Sequence, residues 1–144
     1  MTQEEKQLLL QDLSARLTYG VIVSPIDCGK AKLIGLKNGY PILFDLVLQK
    51  EYDKPWEIEY IKPYLRPLSS MTEEECDKVE EILGDKCVFD FMGNGDIVLK
   101  QGRFSQNKLA ELYDYYNSIH VDYRGMIPMG LSIEVTADNN PYTN

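Results

Sequence analysis

The densest group of chemically active side chains in the sequence is the segment HVDYRG, residues 120–125. It combines the only histidine of the chain with a carboxylate, a phenol and a guanidinium. Histidine can act as a general base, and arginine can bind a carboxylate or a phosphate through two parallel hydrogen bonds. A structural interpretation is simpler, because His120 could satisfy carbonyls at a helix C-terminus while Asp122 pairs with Arg124. His120, Asp122, Tyr123 and Arg124 are therefore candidate anion-binding or catalytic residues.

A second group of candidate residues is aromatic. Trp56, Tyr60 and Tyr64 precede Arg66, and these three residue types are the ones that most often dominate protein interfaces. Alternation along a strand would place Trp56 and Tyr60 on the same face, which could instead belong to the core. Nearby prolines favour a surface of fixed shape. This segment is therefore a candidate binding site for another protein.

The cysteines favour a reducing compartment. Cys28, Cys76 and Cys87 form no CxxC pair, and any disulfide scheme leaves one of them unpaired. We therefore expect reduced thiols and a cytoplasmic location. Cys28 could serve as a nucleophile if His120 approached it, although an inert thiol is the preferred interpretation. His120 and Asp122 supply only two metal ligands, so the sequence predicts neither a metal site nor a cofactor.

Charge and hydropathy exclude several classes of protein. The net charge is −8 and the basic residues are scattered, which disfavours direct binding to nucleic acid because phosphate contacts need clustered Lys and Arg. The acidity could instead mimic nucleic acid, although a modest negative charge mostly promotes solubility. No apolar run approaches the ~20 residues of a membrane-spanning helix. The first ten residues lack the basic region of a secretory signal.

The best-defined local structure surrounds a proline-containing connector. Pro63 and Pro67 predict that residues 61–68 form an extended crossing that is a poor central strand. Thr72 and Glu75 have the spacing of a capping box, which predicts a helix that ends near Gly84. Its exposed side carries most of its acids, and favourable helix-dipole and i,i+4 interactions explain them without a ligand.

Two further helices are predicted, one over residues 3–17 and one from Ser105 to near His120. Asn38-Gly39 predicts a type I′ hairpin turn, and Gly93-Asn94-Gly95 predicts a second hairpin. Strands are expected at about residues 21–26, 31–36, 41–48, 56–60, 87–92, 96–100 and 131–135. The pattern predicts an α+β fold, with a mainly antiparallel sheet built from hairpins and packed against about three helices. Residues 1–136 are predicted to form a single domain, and residues 137–144 a disordered tail.

Three segments carry a resemblance to known proteins: IKPYLRPLSSMTEEE (residues 61–75), HVDYRGMIPMGLSIEV (120–135) and LTYGVIV (17–23). They resemble recurring blocks of small proteins from gut bacteria of the Bacteroides type and their phages or mobile elements. Members of that group have no assigned activity, so the resemblance supplies no catalytic residue. It implies a cytoplasmic accessory protein with a connection to phages or mobile elements.

The sequence therefore favours a non-enzymatic protein-interaction module that binds another protein, or a second copy of itself, through the connector and its aromatic residues. One alternative is a small-molecule or anion-binding domain, or an enzyme, that uses the loop from His120 to Arg124. The other is an acidic, phage-type mimic of nucleic acid.

Overall fold

A computed structural model describes residues 1–26, 29–84, 87–89, 97–99 and 106–143. Its mostly antiparallel six-stranded sheet and its helices confirm the predicted α+β fold. The helices are α1 (Gln3–Arg16), α2 (Glu73–Leu83) and α3 (Gln106–Ser118). The strands are β1 (Ile22–Pro25), β2 (Ala31–Lys37), β3 (Tyr40–Asp45), β4 (Lys50–Glu51), β5 (Ile61–Leu65), β6 (Cys87–Phe89), β7 (Ile97–Leu99) and β8 (Ile133–Glu134). Cys28, Ser105 and the predicted turn at residues 93–95 lie outside the described residues.

The chain divides into two compact units. The first unit contains Met1–Leu65 and Arg124–Asn144, and the second contains Arg66–Tyr123. Each unit has its own cluster of buried hydrophobic side chains. The single domain expected over residues 1–136 stays a prediction.

The first unit is built on the six-stranded sheet, in the order β4-β3-β2-β1-β5-β8. Neighbouring strands are antiparallel except β5 and β8, which are parallel. The β2–β3 hairpin turns at Asn38 and Gly39, whose φ angles of 53° and 81° confirm the predicted turn with two positive φ values. Helix α1 packs on one face of the sheet. The buried cluster that joins them contains Leu9, Leu13, Val21, Val23, Ala31, Leu33, Leu43, Ile61, Leu65, Met126 and Leu131.

Helix α1 begins with the predicted capping box. The N–H of Glu5 donates to the Thr2 hydroxyl at 3.1 Å, and the Glu5 carboxylate accepts from the N–H of Thr2 at 2.9 Å. The four fully buried positions of the helix are Leu9, Asp12, Leu13 and Arg16. Their spacing places them on one face, so the buried stripe contains a charged pair as well as leucines.

The predicted connector is the point at which the sequence interpretation was wrong. Its first part forms strand β5, which lies between β1 and β8 inside the sheet. The N–H of Ile26 donates to the carbonyl of Tyr60 at 2.9 Å, so Ser24 and Lys62, two residues along each strand, occupy a hydrogen-bonded position of the ladder. Pro63 pairs with Val23 at an intervening position, where no N–H faces β1. Pairing with β8 begins at Tyr64, so the proline removes no necessary hydrogen bond.

Two of the predicted strands also differ from the structure. Residues 56–60 contain no strand and end in a 3₁₀ turn at Ile58–Tyr60. The second difference is the end of strand β3 at Asp45. The Asp45 carboxylate accepts from the N–H groups of Val47 and Leu48 at 2.8 and 3.0 Å, and these hydrogen bonds start a turn.

The second unit pairs α2 with α3. Thr72 and Glu75 form the predicted capping box, and α2 ends at Gly84, whose φ is 79°. Strands β6 and β7 pair antiparallel, as the sequence predicts. The buried cluster of this unit consists of Met71, Cys76, Val79, Leu83, Leu112, Tyr116 and Val121.

The C-terminal segment contacts the sheet through Tyr142, and the predicted disorder of residues 137–144 stays a prediction. Tyr142 is largely withdrawn from solvent, and its hydroxyl accepts from the N–H of Ile22 at 3.0 Å and donates to the carbonyl of Tyr64 at 2.7 Å. The register of β1 and β5 makes Ile22 and Tyr64 the next opposed pair, so the hydroxyl replaces ladder hydrogen bonds between them. One anchoring side chain thus offsets the entropic tendency of a polar tail to fray.

Replacing Tyr142 by Phe should destabilise the protein by about 1–3 kcal/mol, because the N–H of Ile22 and the carbonyl of Tyr64 lose their partner. Burial raises the pKa of the Tyr142 hydroxyl above its usual value. Its stabilising contribution is therefore complete below the unfolded-state pKa of about 10 and declines above it. Urea titrations should show that the stability difference between the two proteins narrows above about pH 10. A difference that stayed constant to higher pH would contradict this role.

Candidate functional site

The four residues of the predicted aromatic surface have different surroundings in the structure. Trp56 is half-buried against the core of the first unit and packs edge-to-face on Tyr52, with ring centroids 5.3 Å apart. Tyr60 is 45% exposed at the end of the 3₁₀ turn, and Tyr64 lies half-buried on β5. Arg66 belongs to the second unit. Tyr60 and Tyr64 therefore remain on an accessible surface, whereas Trp56 serves the core.

Arg66 forms a bidentate pair with Glu75. Its two terminal nitrogens lie 2.8 and 2.7 Å from the two carboxylate oxygens of Glu75, and one of them donates to the carbonyl of Ser70 at 3.1 Å. The same carboxylate caps α2 by accepting from the N–H of Thr72. The Arg66 hydrogen bonds hold the pKa of Glu75 below its usual value, against the opposing effect of burial. Arg66 therefore fixes the start of α2.

The residues of the 120–124 loop also make structural contacts. His120 follows α3 with a φ of 62°, and its carbonyl accepts from the N–H of Arg66 at 2.8 Å. The N–H of Asp122 donates to the carbonyl of Arg66 at 2.7 Å, which completes a parallel bridge. The Tyr123 ring stacks on the rings of Tyr113 and Tyr116, with centroids 5.2 and 5.6 Å away. These contacts hold the loop against the second unit.

A buried ionic group in the first unit was missed in the sequence. Asp12 and Arg16 are fully buried, and the Nε of Arg16 lies 2.8 Å from one Asp12 oxygen. The Nε of Arg124 lies 3.2 Å from the other oxygen. Asp12 and Arg16 share the face of Leu9 and Leu13, and this spacing was the available signal. One carboxylate thus contacts two guanidiniums, and the group has a structural role.

The second face of the sheet carries a group of lysines that the sequence interpretation did not assemble. Side chains alternate between faces along a strand, and the core-facing set includes Val23, Leu33 and Leu43. The register aligns Ile22 with Lys32 and Lys32 with Phe44 on the opposite face, and it aligns Ser24 with Lys62. We call this surface the lysine face. Its members are Ile22, Ser24, Lys30, Lys32, Phe44, Lys62 and Tyr64.

The cations of the lysine face are not neutralised locally. Lys32 and Lys62 are exposed, and the Nζ of Lys30 lies 5.7 Å from the centroid of the Tyr64 ring, a cation–π distance. Within the described part of the chain, none of these three lysines forms an ion pair. Glu51, paired with Phe44 at the edge strand β4, is the acid that borders the face. The surface can therefore attract carboxylates or other anionic groups.

A cleft of about 300 Å³ adjoins the lysine face at the ends of β1 and β5. It is lined by Ser24, Ile26, Tyr60, Lys62 and Ile133, together with Pro25 and Glu59. Ile26 is 57% exposed beside Tyr60, so apolar surface lies next to the cations. The carboxylate of Glu59 lies 3.2 Å from the Nζ of Lys6, which offsets its charge. An apolar side chain of a binding partner could occupy this cleft.

Two other clefts lack comparable chemistry. One, of about 410 Å³, is lined mainly by Gln3, Gln7, Asn38, Tyr40 and Glu57, and its lysine, Lys6, is already paired with Glu59. The other, of about 250 Å³, lies beside β4. Neither His120 nor Arg124 lines any of the three clefts.

Comparison of the chain with protein-family models, with curated proteins and with solved structures finds no match. The resemblance to small proteins of gut bacteria and their phages therefore stays a prediction. Among the described residues, no helix has the length and apolar character needed to cross a membrane. In that same part of the chain, no three His, Cys, Asp or Glu side chains are grouped as metal ligands.

Replacing Asp12 alone by Asn should destabilise the protein by about 3–5 kcal/mol, because Arg16 would remain charged and buried without its carboxylate. The double variant Asp12→Leu with Arg16→Met should lie within about 1–2 kcal/mol of the wild type, since it removes both buried charges and keeps their volume. Urea unfolding followed by circular dichroism measures both effects. A double variant as unstable as the single one would contradict a mainly electrostatic penalty.

Replacing Glu75 by Gln should cost about 1.5–3 kcal/mol at pH 7, because the bidentate pair with Arg66 is lost. The lowered pKa of Glu75 makes this stabilisation complete above the unfolded-state pKa of about 4.3, and it is lost as the pH falls through the folded-state pKa. Thermal or urea unfolding from pH 7 to pH 2.5 should therefore show the two proteins converging in acid. Glu74→Gln, at an exposed position of the same turn, is the control and should change stability much less.

Proposed function

We propose that the chain is a non-enzymatic interaction module that binds a protein partner through the lysine face and the adjoining cleft. The observation that carries this proposal is the group of three lysines that form no ion pair with any described residue and lie beside exposed apolar side chains on an ordered sheet. The proposal retains Tyr60 and Tyr64 from the aromatic segment. Ile26 and the lysines take the places of Trp56 and Arg66.

The composition of this surface supports a binding role. A protein interface combines a water-excluded apolar or aromatic centre with charged groups at its rim. Ile26, Tyr60 and the cleft provide the apolar centre, and Lys30, Lys32 and Lys62 provide the charged rim. Because the side chains project from paired strands, little backbone entropy is lost when a partner binds.

An enzymatic role has weaker support. Catalysis requires the reacting groups to meet in a concave site where a substrate can lie. The backbones of His120 and Asp122 hold the loop, the Tyr123 ring is stacked in the second unit, and Arg124 pairs with Asp12. We also keep the cytoplasm as the proposed location, because the cysteine spacing is typical of reduced thiols. An accessory role linked to phages or mobile elements rests on sequence resemblance alone.

Site-specific photo-crosslinking in cells tests the interaction. A benzophenone amino acid replaces Tyr60, whose ring is exposed at the cleft. The matched control carries it at Tyr40, which is also exposed but lines the cleft of about 410 Å³ and not the cleft beside the lysine face. We expect a discrete adduct from position 60 and none from position 40. Reversing the charges of Lys30, Lys32 and Lys62 to Glu should lower its yield by about tenfold, since charged rim groups control association.

Equal adducts from the two positions, or an adduct that survives the charge reversal, would place the interaction elsewhere. No adduct from position 60 would remove the proposal. Circular dichroism of each purified variant establishes that the fold survives, so that a lost adduct reports on the surface itself.

A further inference from the structure

The exposed side of α2 is the chemical opposite of the lysine face. Five acids of this 11-residue helix are exposed, namely Glu73, Glu74, Asp77, Glu80 and Glu81. Lys78 approaches Glu81 at 3.7 Å. Within the described residues, the other four carboxylates form no ion pair. Among the described residues, three lysines on the sheet and four acids on α2 thus form no ion pair.

We propose that the partner of the lysine face is the acidic side of α2 in a second copy of the chain. This inference rests on the proposed function and names the occupant of that surface. Three cations without ion pairs would meet carboxylates that also lack them. Pairing between the copies would satisfy both groups, and each pair would add local attraction and orient the contact.

The spacing of the two charged groups is compatible with this contact. Lys62 and Lys30 lie on either side of Ser24 across two strand spacings, or roughly 10 Å. Glu73 and Glu80 are separated by seven residues of helix, also roughly 10 Å along its axis. Asp77 lies between them on the same side of the helix. One helix laid across the strands could therefore present a carboxylate near each of these lysines.

A second copy fits the surface better than a nucleic acid does. A nucleic acid would bind to a sheet by stacking bases on exposed aromatic rings. The ammonium of Lys30 lies over the Tyr64 ring and occupies the face on which a base would stack. Three lysines also supply few phosphate contacts on a chain whose net charge is −8.

The contact should be weak because it is small and because two acidic chains repel each other at long range. The members of the lysine face lie on four strands and span about four residues along them, which gives a face of roughly 14 by 13 Å, well below the ~800 Å² per partner of a standard interface. Salt screens the long-range repulsion as well as the local attraction, so salt dependence alone is a poor test. Reciprocal charge reversal at constant salt separates the two effects.

The test is sedimentation velocity at about 150 mM salt, over protein concentrations from the micromolar range to about 1 mM. The lysine-reversed variant carries Lys30→Glu, Lys32→Glu and Lys62→Glu. The acid-reversed variant carries Glu73→Lys, Asp77→Lys and Glu80→Lys. A control variant reverses the exposed lysines Lys37, Lys50 and Lys54 and has the same net charge as the lysine-reversed protein.

We expect the wild type and the control variant to associate with rising concentration, and each reversed variant to stay monomeric by itself. An equimolar mixture of the two reversed variants should associate again, because reversed lysines and reversed acids remain complementary. A mixture that stays monomeric, or a control variant that loses association as fully as the lysine-reversed one, would overturn the inference. Circular dichroism establishes that each variant is folded.

The crosslink at position 60 separates this inference from the proposed function. An adduct of twice the chain mass supports both. A monomeric wild type together with a protein adduct of another mass overturns the second copy and leaves the interaction module standing. An adduct that nuclease removes overturns both, as does the absence of both adduct and self-association.

Discussion

The pairing of β1 with β5 is the constraint on which the first unit depends. It joins residues 22–25 to Ile61–Leu65. Strand β8, which follows the second unit in the sequence, pairs with the other edge of β5. The same pairing places the core-facing residues of both strands against α1. A shift of one residue would move every side chain of β5 to the opposite face and would bury lysine in place of isoleucine and leucine. The hydrophobic pattern therefore fixes the register strongly.

This register explains how a proline occupies an internal strand. Pro63 faces β1 at a position that exchanges no hydrogen bonds, and parallel pairing with β8 starts one residue later. The Tyr142 hydroxyl then replaces the hydrogen bonds expected between Ile22 and Tyr64. The Ile22–Tyr64 end of the short β1–β5 ladder is thus completed by a side chain that is distant in the sequence. The C-terminal segment consequently contributes to the sheet through one side chain.

Local interactions were predictable from the sequence, and long-range ones were not. The capping boxes at Thr2 and Thr72 and the Asn38-Gly39 turn depend on residues a few positions apart, and all three are present. The connector was misjudged because the usual exclusion of proline from internal strands is relaxed at a position that needs no hydrogen bond. That position is defined only by a partner strand about 40 residues away, which sequence periodicity does not reveal.

The residues of the candidate site were also predictable only where residue type or local spacing identifies them. Tyr60 and Tyr64 could be singled out by residue type, because aromatic residues near prolines suggest an interface. Lys30, Lys32 and Lys62 look scattered in the sequence and share a face only after β1 is placed between β2 and β5. The i,i+4 spacing of Asp12 and Arg16 is visible in the sequence. Charged residues are rarely buried, however, so this spacing alone did not indicate a buried pair. Residue type identified the candidate residues, whereas the register of the strands determines which of them lie on the same face.

A solvated sheet face is the simplest explanation for exposed lysines, since a sheet packed on one side by a helix needs polar groups on the other. The arrangement goes beyond that requirement. The chain has 23 acidic and 15 basic residues, so anions are abundant, yet Lys30, Lys32 and Lys62 form no ion pairs among the described residues. Among the described residues, Glu73, Glu74, Asp77 and Glu80 of α2 also form no ion pair. These charges of opposite sign, on the sheet of the first unit and on a helix of the second, can be satisfied by water or by a second molecule, and only the second molecule requires the spacing of the two sets to agree.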